Sequence, residues 1–376
     1  MRILLVGDYS SIHIYNYFKN VISHIGCECV GYHIVEDDIN PNYLKYYSEH
    51  NIQIINGIDT RIYREQGAFK FTKQTCEKLS LLGEFDIIHL HSVRLFICPA
   101  LFLSRKLYKR IIITYWGSDL YRSTKLQLIK SLPIVHASNT ITMITEDMYT
   151  YFKNLPRCIS RYSNKIRVCD FGNMLYDRII SYTTNTDRYK KELGFEVDKL
   201  ICTIGYVGRP QMQQLLVIKT LLQLFIKNKN TIQLAIPAYG IRESDLKSIT
   251  DLLNSVGIVY QVFTDFMDEE TVSKLRAISD IFIHAQTSDA LSCAMLEHLY
   301  AGSIVINGEW LKYSILDNNG IYYKTFKDFS FLPEVLNEVI CNIATEKLKV
   351  SNNRNPVAKI SSWDYLRKYW IDLYKE

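Results

Sequence analysis

The chain has 376 residues, enough for two domains of ordinary size, each able to bury its own core. Its 48% hydrophobic and 22% charged residues exclude a disordered majority, and its longest apolar run, LFICPALFL (95–103), falls far short of the ~20 residues a spanning helix needs. The net charge of +5 is unevenly spread: residues 90–180 hold fourteen Lys/Arg against five Asp/Glu.

The opening MRILLVGD is too short and too quickly polar for a signal peptide, and reads as a buried first strand ending in a turn. Cys27 and Cys29 make a lone CxC that an alternating strand would point to one face. The odd count of nine cysteines, without a CxxC pair, predicts reduced structural thiols in a cytoplasmic protein.

In chain order, RILLVG (2–7), NIQIING (51–57), DIIHLHS (86–92), RIIITYWG (110–117) and NTITMIT (139–145) read as strands ending in polar or glycine-containing loops. Helical patterns near 12–24, 63–82, 94–108 and 146–154 lie between them. After the polar stretch 181–199 the alternation restarts with LICTIGYVG (200–208), TIQLAIPAYG (231–240), IVYQVFTDF (258–266), DIFIHA (280–285) and SIVING (303–308). This predicts an α/β chain of two doubly wound, Rossmann-like domains with parallel sheets. The expected divisions are 1–180 for the first domain and 181–358 for the second. An aromatic amphipathic helix at 359–376 is expected to pack back on the first domain. Ligands of such sheets bind beyond the carboxyl ends of the strands, so a ligand is expected in the cleft between the domains.

Several chemistries have no motif to carry them. Neither opening strand leads into GxGxxG, no GxxxxGK[ST] occurs, no DxD is present to offer a metal to a nucleotide diphosphate, and no Cys/His cluster has zinc spacing. The basic excess of residues 94–167, which includes Arg105, Lys106, Lys109, Arg110, Lys153, Arg157, Arg161, Lys165 and Arg167, has two readings. It is either a surface for anionic lipid headgroups or a solvated face. No nucleic-acid motif accompanies it, so a nucleic-acid partner is not expected.

The second half carries a denser set of polar groups. Strand 200–207 runs into Gly208–Arg209–Pro210, where glycine permits close backbone approach and arginine offers a fork of donors to phosphate. The stretch SDALSCAMLEHLYAG (288–302) reads as a helix capped at Ser288 or Asp289 and ended by Gly302. Asp289 is then expected at the helix mouth with Glu297 two turns deeper, roughly 12 Å along the axis. A helix mouth with an arginine beside it suits a diphosphate without metal. Alternatively, Asp289 merely caps its helix and Glu297 is a solvated polar-face residue.

Gly208–Arg209, Asp289-x7-Glu297 and Ala301–Gly302 before a strand resemble the donor half of retaining GT-B glycosyltransferases, especially glycosyltransferase family 4. DIIHLHS, WGSDL (116–120) and VGDYSSIH (6–13) resemble that family's first-domain strand end and loops, so the resemblance extends through most of the chain. It implies that Arg209 neutralises a donor diphosphate, Glu297 binds ribose hydroxyls and Asp289 the transferred sugar. It places the backbone of Ala290, Leu291 and Ser292 on phosphate or sugar oxygens, and Phe266 and Met267 against the base. Asp8, Ser10, Ser11 and His13 would form the loop that closes over the diphosphate. Three departures stand out: Asp289 replaces the family's first Glu, Gln214 its Lys, and Trp116 its His. Gln214 is expected to hydrogen-bond phosphate, and Trp116 to stack on a sugar face.

Of the histidines, His89 is expected to be buried and hydrogen-bonded, His91 and His284 are candidates to touch ligand, and His298 is expected to be structural. Asp119 is a candidate to orient the acceptor or act as base, its alternative being a helix cap over 119–130.

The expected activity is transfer of a sugar from a nucleotide diphosphate donor, UDP-sugars favoured, to a hydroxyl of a glycan acceptor. That acceptor is expected to be lipid-linked, in surface polysaccharide assembly, with retention and without metal or other cofactor. The expected location is the cytoplasm, with peripheral contact at the inner membrane face. A nucleotide-sugar 2-epimerase and a non-catalytic glycan-binding subunit remain alternatives.

Overall fold

The structure, a computed structural model, describes residues 1–35 and 38–376. The chain forms two compact units. One is Met1–Gly172 together with Leu366–Glu376, and the other is Asn173–Tyr365. The terminal segment thus joins the first unit from Leu366, while residues 359–365 belong to the second.

The first unit is built on seven parallel strands: β1 (Arg2–Gly7), β2 (Glu28–His33), β3 (Gln53–Asn56), β4 (Phe85–His91), β5 (Tyr108–Tyr115), β6 (Thr140–Met143) and β7 (Ile166–Val168). Their order, β3-β2-β1-β4-β5-β6-β7, reverses direction between β1 and β4. Central strands read as continuous apolar runs because both faces are covered: Ile3 to Val6 are fully buried, as are Ile112 and Ile113.

Strand β2 escapes the sequence reading, and Gly31 explains why. Glycine inside a strand reads as a break, yet a Cβ there would lie 2.5 Å from Cζ of the buried Tyr9 ring. Glycine is the residue that lets the ring lie on the strand. The helix expected over 63–82 is two helices, Thr60–Gln66 and Ala68–Leu81, broken at Gly67 (φ 89°).

From Leu366 onward the last helix, Trp363–Lys375, lies with the first unit and sets Trp370 and Tyr374 against His89 of β4. The indole of Trp370, fully buried, donates to the carbonyl of Asp170 at 2.7 Å, and Arg110 donates to the carbonyl of Leu373 at 2.8 Å.

The second unit has six parallel strands: β8 (Leu200–Ile204), β9 (Ile232–Pro237), β10 (Tyr260–Phe263), β11 (Ile281–His284), β12 (Ile304–Gly308) and β13 (Lys324–Phe326). The order β10-β9-β8-β11-β12-β13 reverses between β8 and β11. Ile204, Leu234, Ile236, Ile281, Ile304 and Ile306 meet Val217, Leu221 and Phe225 of the helix Gln214–Asn228 in one core. Each such side chain contributes about 1.5–3 kcal/mol relative to exposure. All nine cysteines are unpaired. Among the described residues, no helix is long and apolar enough to cross a membrane.

Candidate functional site

In the second unit the reversal at β8/β11 gathers the loops that follow those strands. The loop after β11 is longer than the sequence reading allows. The helix there is Cys293–Ala301, its N-cap is Ser292, whose hydroxyl accepts from Met295 N at 3.2 Å, and Gly302 (φ 90°) ends it. Asp289 is therefore not a cap and does not sit at a helix mouth. It lies three residues before the cap, and Glu297 is roughly 7–8 Å beyond Ser292 along the axis rather than 12 Å beyond Asp289.

Asp289 instead belongs to a polar ring. Its Oδ2 accepts from Tyr313 OH at 2.9 Å and its Oδ1 from Gln286 Nε2 at 3.3 Å. Gln286, nearly fully buried, accepts from Tyr206 OH at 2.6 Å through its side chain and from Trp310 Nε1 at 2.7 Å through its carbonyl. His284, at the end of β11, faces Asn307 Oδ1 at 2.9 Å through Nδ1. Asn307 uses its amide group as a donor to the carbonyls of Gly308 and Leu311, so His284 Nδ1 carries the proton and Nε2 is an acceptor. That Nε2 is buried and has no protein partner among the described residues. Burial lowers the pKa of His284, partly countered by Asp289, so the ring stays neutral at physiological pH.

Glu297 is neither solvated nor free. It is 7% exposed; Oε2 pairs with Nε of the equally buried Arg276 at 3.0 Å, and Oε1 accepts from Asn173 Nδ2 at 2.9 Å. Arg276 also donates to His298 Nε2 at 3.2 Å, and His298 Nδ1 faces Ser303 Oγ at 3.0 Å, the structural role expected of that histidine.

Arg209 follows β8 and is exposed. It walls a cavity of about 280 Å³ with Lys219, Ile241 and Arg242. Gly208 serves protein packing: a Cβ there would meet the carbonyl of Ala238 at 2.3 Å. Gln214 turns inward, contrary to the phosphate-binding expectation. It is 4% exposed, and its Nε2 donates to the carbonyls of Ile204 and Pro237, each at 2.8 Å. It fastens the ends of β8 and β9 and has no donor left for a phosphate.

Phe266 is 70% exposed after β10, and Tyr239, 50% exposed after β9, meets it edge-on at 5.5 Å. Met267 instead packs on the small core of Phe195 and Leu275. Ala290, Leu291 and Ser292 are buried side chains on the loop into the Cys293–Ala301 helix.

In the first unit, Asp8 accepts from Ser10 N at 3.0 Å and from the Ser10 hydroxyl, while Ser11 caps the helix Ile12–Asn20. Exposed His13 meets Trp116 edge-on at 5.3 Å, and Trp116 also packs on His91 and Phe171. Trp116 is thus a wall of a ring cluster rather than a freestanding sugar platform. His91 is 1% exposed, enclosed by Tyr17, His89, Trp116 and Trp370, and neither of its ring nitrogens has a partner among the described residues. Burial lowers its pKa to about 3. His89 bridges Tyr374 OH at 2.5 Å and Thr114 Oγ1 at 2.6 Å, the buried role expected of it.

Asp119 holds backbone. Oδ1 accepts from Trp116 N (2.8 Å) and Gly117 N (3.1 Å), and Oδ2 from Val93 N (2.8 Å). It pins the loops after β4 and β5 together, which leaves it poorly placed to take a proton from an acceptor. The predicted 119–130 helix is two, Ser118–Tyr121 and Lys125–Lys130, the second opened by a Thr124–Gln127 capping box. Burial raises the Asp119 pKa to about 6 against the pull of those amides.

Missed by sequence reasoning were Tyr206, Gln286, Tyr313, Arg276, Asn173 and Tyr239. The aromatic loop GEWLKY after β12 and the HAQ ending of β11 carried the available signal for Tyr313 and Gln286; Arg276 and Asn173 carried none.

No family model matches the sequence, and no curated protein is similar to it. Solved structures do match its fold. HepE of Anabaena, in complex with UDP and glucose, superposes with a TM-score of 0.72 at 10% identity, covering 100% of this chain and 99% of that one. A glycosyltransferase from Rickettsia africae matches at 0.75 with 14% identity, covering 100% and 97%. Sucrose-phosphate synthase of Thermosynechococcus elongatus matches at 0.74 with 13% identity, covering 100% and 98%. With its two parallel α/β sheets, the chain has the fold of GT-B glycosyltransferases.

Proposed function

We propose that the protein is a glycosyltransferase of family 4 type that takes its sugar from a nucleotide diphosphate donor, a UDP-sugar favoured, bound at the ends of β8 and β11. The observation that carries this reading is the polar ring of Tyr206, Gln286, Asp289 and Tyr313, with the buried, unpartnered acceptor His284 Nε2 at the end of β11. A fixed carboxylate and a neutral imidazole acceptor suit a polyol's hydroxyl donors better than an anion. Exposed Arg209 and the N-terminus of Cys293–Ala301 supply positive potential for a diphosphate nearby. The Tyr239–Phe266 pair offers aromatic surface to a base. The UDP and glucose bound by HepE, which shares this fold, support the choice of UDP.

In this reading Arg209 neutralises the departing diphosphate, Asp289 orients the sugar and Glu297 receives the ribose diol. The bond from the anomeric carbon to the diphosphate oxygen breaks as the bond to the acceptor oxygen forms on the same face. The acceptor's proton passes to the leaving diphosphate, so no protein base is required, which agrees with Asp119 being engaged by backbone. Retention and metal independence are parts of the proposal. A lipid-linked acceptor at the inner membrane face, in surface polysaccharide assembly, is its outermost part. Exposed Leu103, Leu126 and Ile129 near Lys106, Lys125 and Lys130 support it. Arg110 and Lys165 drop out of that basic face because they donate to backbone carbonyls.

A thermal-shift screen of UDP, GDP, CDP, dTDP and their sugars tests the reading. One nucleotide should stabilise the wild type and lose its effect in Arg209→Ala. If no nucleotide stabilises the wild type, the donor reading falls. Product analysis without acceptor separates a 2-epimerase, which returns an altered nucleotide sugar. EDTA, product anomer analysis and salt-sensitive liposome binding test metal independence, retention and membrane contact.

A further inference from the structure

The chain passes between its two units twice, at Gly172/Asn173 and at Tyr365/Leu366. On the second unit's side of these crossings the two segments run side by side. Asn173 N donates to the carbonyl of Ser361 at 2.7 Å, Asn173 and Ser362 form a parallel bridge, and the hydroxyls of Tyr176 and Ser361 lie 2.5 Å apart. This doubled segment rests on the helix that carries Glu297. Tyr176 stacks on Tyr300 at 4.0 Å, and Asn173 Nδ2 donates to Glu297 Oε1 at 2.9 Å.

We propose that Asn173 is a positioning residue: it orients Glu297 for the donor's ribose diol and couples occupancy of that carboxylate to the paired crossing segments. The inference rests on the donor reading for its ligand, though not for the coupling itself. A carboxylate held at one oxygen can still rotate about its terminal bond. Arg276 on Oε2 and Asn173 on Oε1 together fix its plane, and the remaining lone pairs of both oxygens stay available to two O–H donors. By linkage, whatever orders Asn173 favours the diol, and the diol tightens Asn173 by the same factor.

The two ends of the Asn173 amide have separable jobs. Oδ1 accepts from Leu175 N at 2.7 Å and shapes the turn, while Nδ2 holds Glu297. Asn173→Asp keeps the first contact and replaces the second with an oxygen facing a carboxylate, so it isolates the coupling from the turn.

The test uses the full chain, titrating UDP by calorimetry and following amide hydrogen exchange at residues 173–175 and 361–363. Wild type, Asn173→Asp and Glu297→Gln are compared. Without nucleotide, both variants should speed exchange of the Asn173 amide about tenfold, the loss expected when one hydrogen bond to a charged group goes. UDP should slow that exchange in the wild type only, and bind Asn173→Asp about tenfold more weakly. Wild-type exchange in both nucleotide-free variants overturns the coupling, as does wild-type UDP affinity in Asn173→Asp. If UDP binds no form, the donor reading fails, and the nucleotide-free exchange alone decides the coupling. Should Asn173→Asp not fold, Glu297→Gln, which leaves the Oδ1 contact to Leu175 N in place, carries the exchange comparison.

Discussion

The two sheets reverse direction in the same way, at β1/β4 and at β8/β11, yet the strand ends at those points are furnished differently. In the first unit the polar groups are spent on the fold or sealed by rings: Asp119 on three backbone amides, His89 between Tyr374 and Thr114, His91 among aromatic neighbours. In the second, His284 Nε2 has no partner among the described residues, and Arg209 stands in solvent. The likeness of topology places polar groups at two comparable points; in the first unit the unpartnered His91 is closed in by rings, whereas in the second Arg209 is open to solvent. Polar residue types at a strand end are therefore weak evidence until their partners are known.

The sharpest way to break this contrast is to compare Glu297 with Arg209. Glu297→Ala leaves the buried Arg276 charge unpaired and should cost about 3–5 kcal/mol in urea unfolding, whereas Arg209→Ala should change stability by less than about 0.5 kcal/mol while abolishing nucleotide binding. A neutral Glu297→Ala would mean the ion pair is solvated.

Next comes Gln214. Gln214→Ala removes the donor to two buried carbonyls and should cost about 2–3 kcal/mol without changing nucleotide affinity beyond that loss. Weaker UDP binding in an otherwise stable variant would return Gln214 to the ligand site.

The first unit has its own signature in pH. The folded pKa of His91 is depressed to about 3, so the folded state refuses a proton that the unfolded chain accepts. Its contribution is intact above pH ~6.5 and is lost as pH falls, reaching about 2 kcal/mol at pH 5. Asp119, raised to about 6, acts in the opposite sense: the folded state binds its proton more tightly, so its contribution favours folding at acid pH and declines as pH rises towards 6. Denaturant unfolding of wild type and His91→Phe at pH 7 and 5 reads the histidine term directly. An equal pH dependence in the two would show that the cluster admits water.

The smallest effect is at Tyr313. Tyr313→Phe removes one hydrogen bond from Asp289 and should cost about 1 kcal/mol, with a loss of donor-sugar affinity that bare UDP does not share. Equal loss for UDP and UDP-sugar would move Asp289 away from the sugar.

The repeat of strands and helices, and with it two parallel sheets, was legible in the chain alone, because hydrophobic periodicity is a local property written residue by residue. The pattern also showed which strand ends carry polar groups, the buried role of His89 and the structural role of His298. It could not reveal β2, whose Gly31 looks like a break until Tyr9 is laid across it from the loop after β1. Nor could it tell that Gln214 faces inward, that Asp289 leans on Tyr313 rather than capping a helix, or that Glu297 is held by Arg276 and Asn173. Asn173 lies 124 residues from its partner in the chain. Those are pairings made by the fold, and a hydrogen-bond partner is a matter of distance in space, on which residue type and spacing are silent.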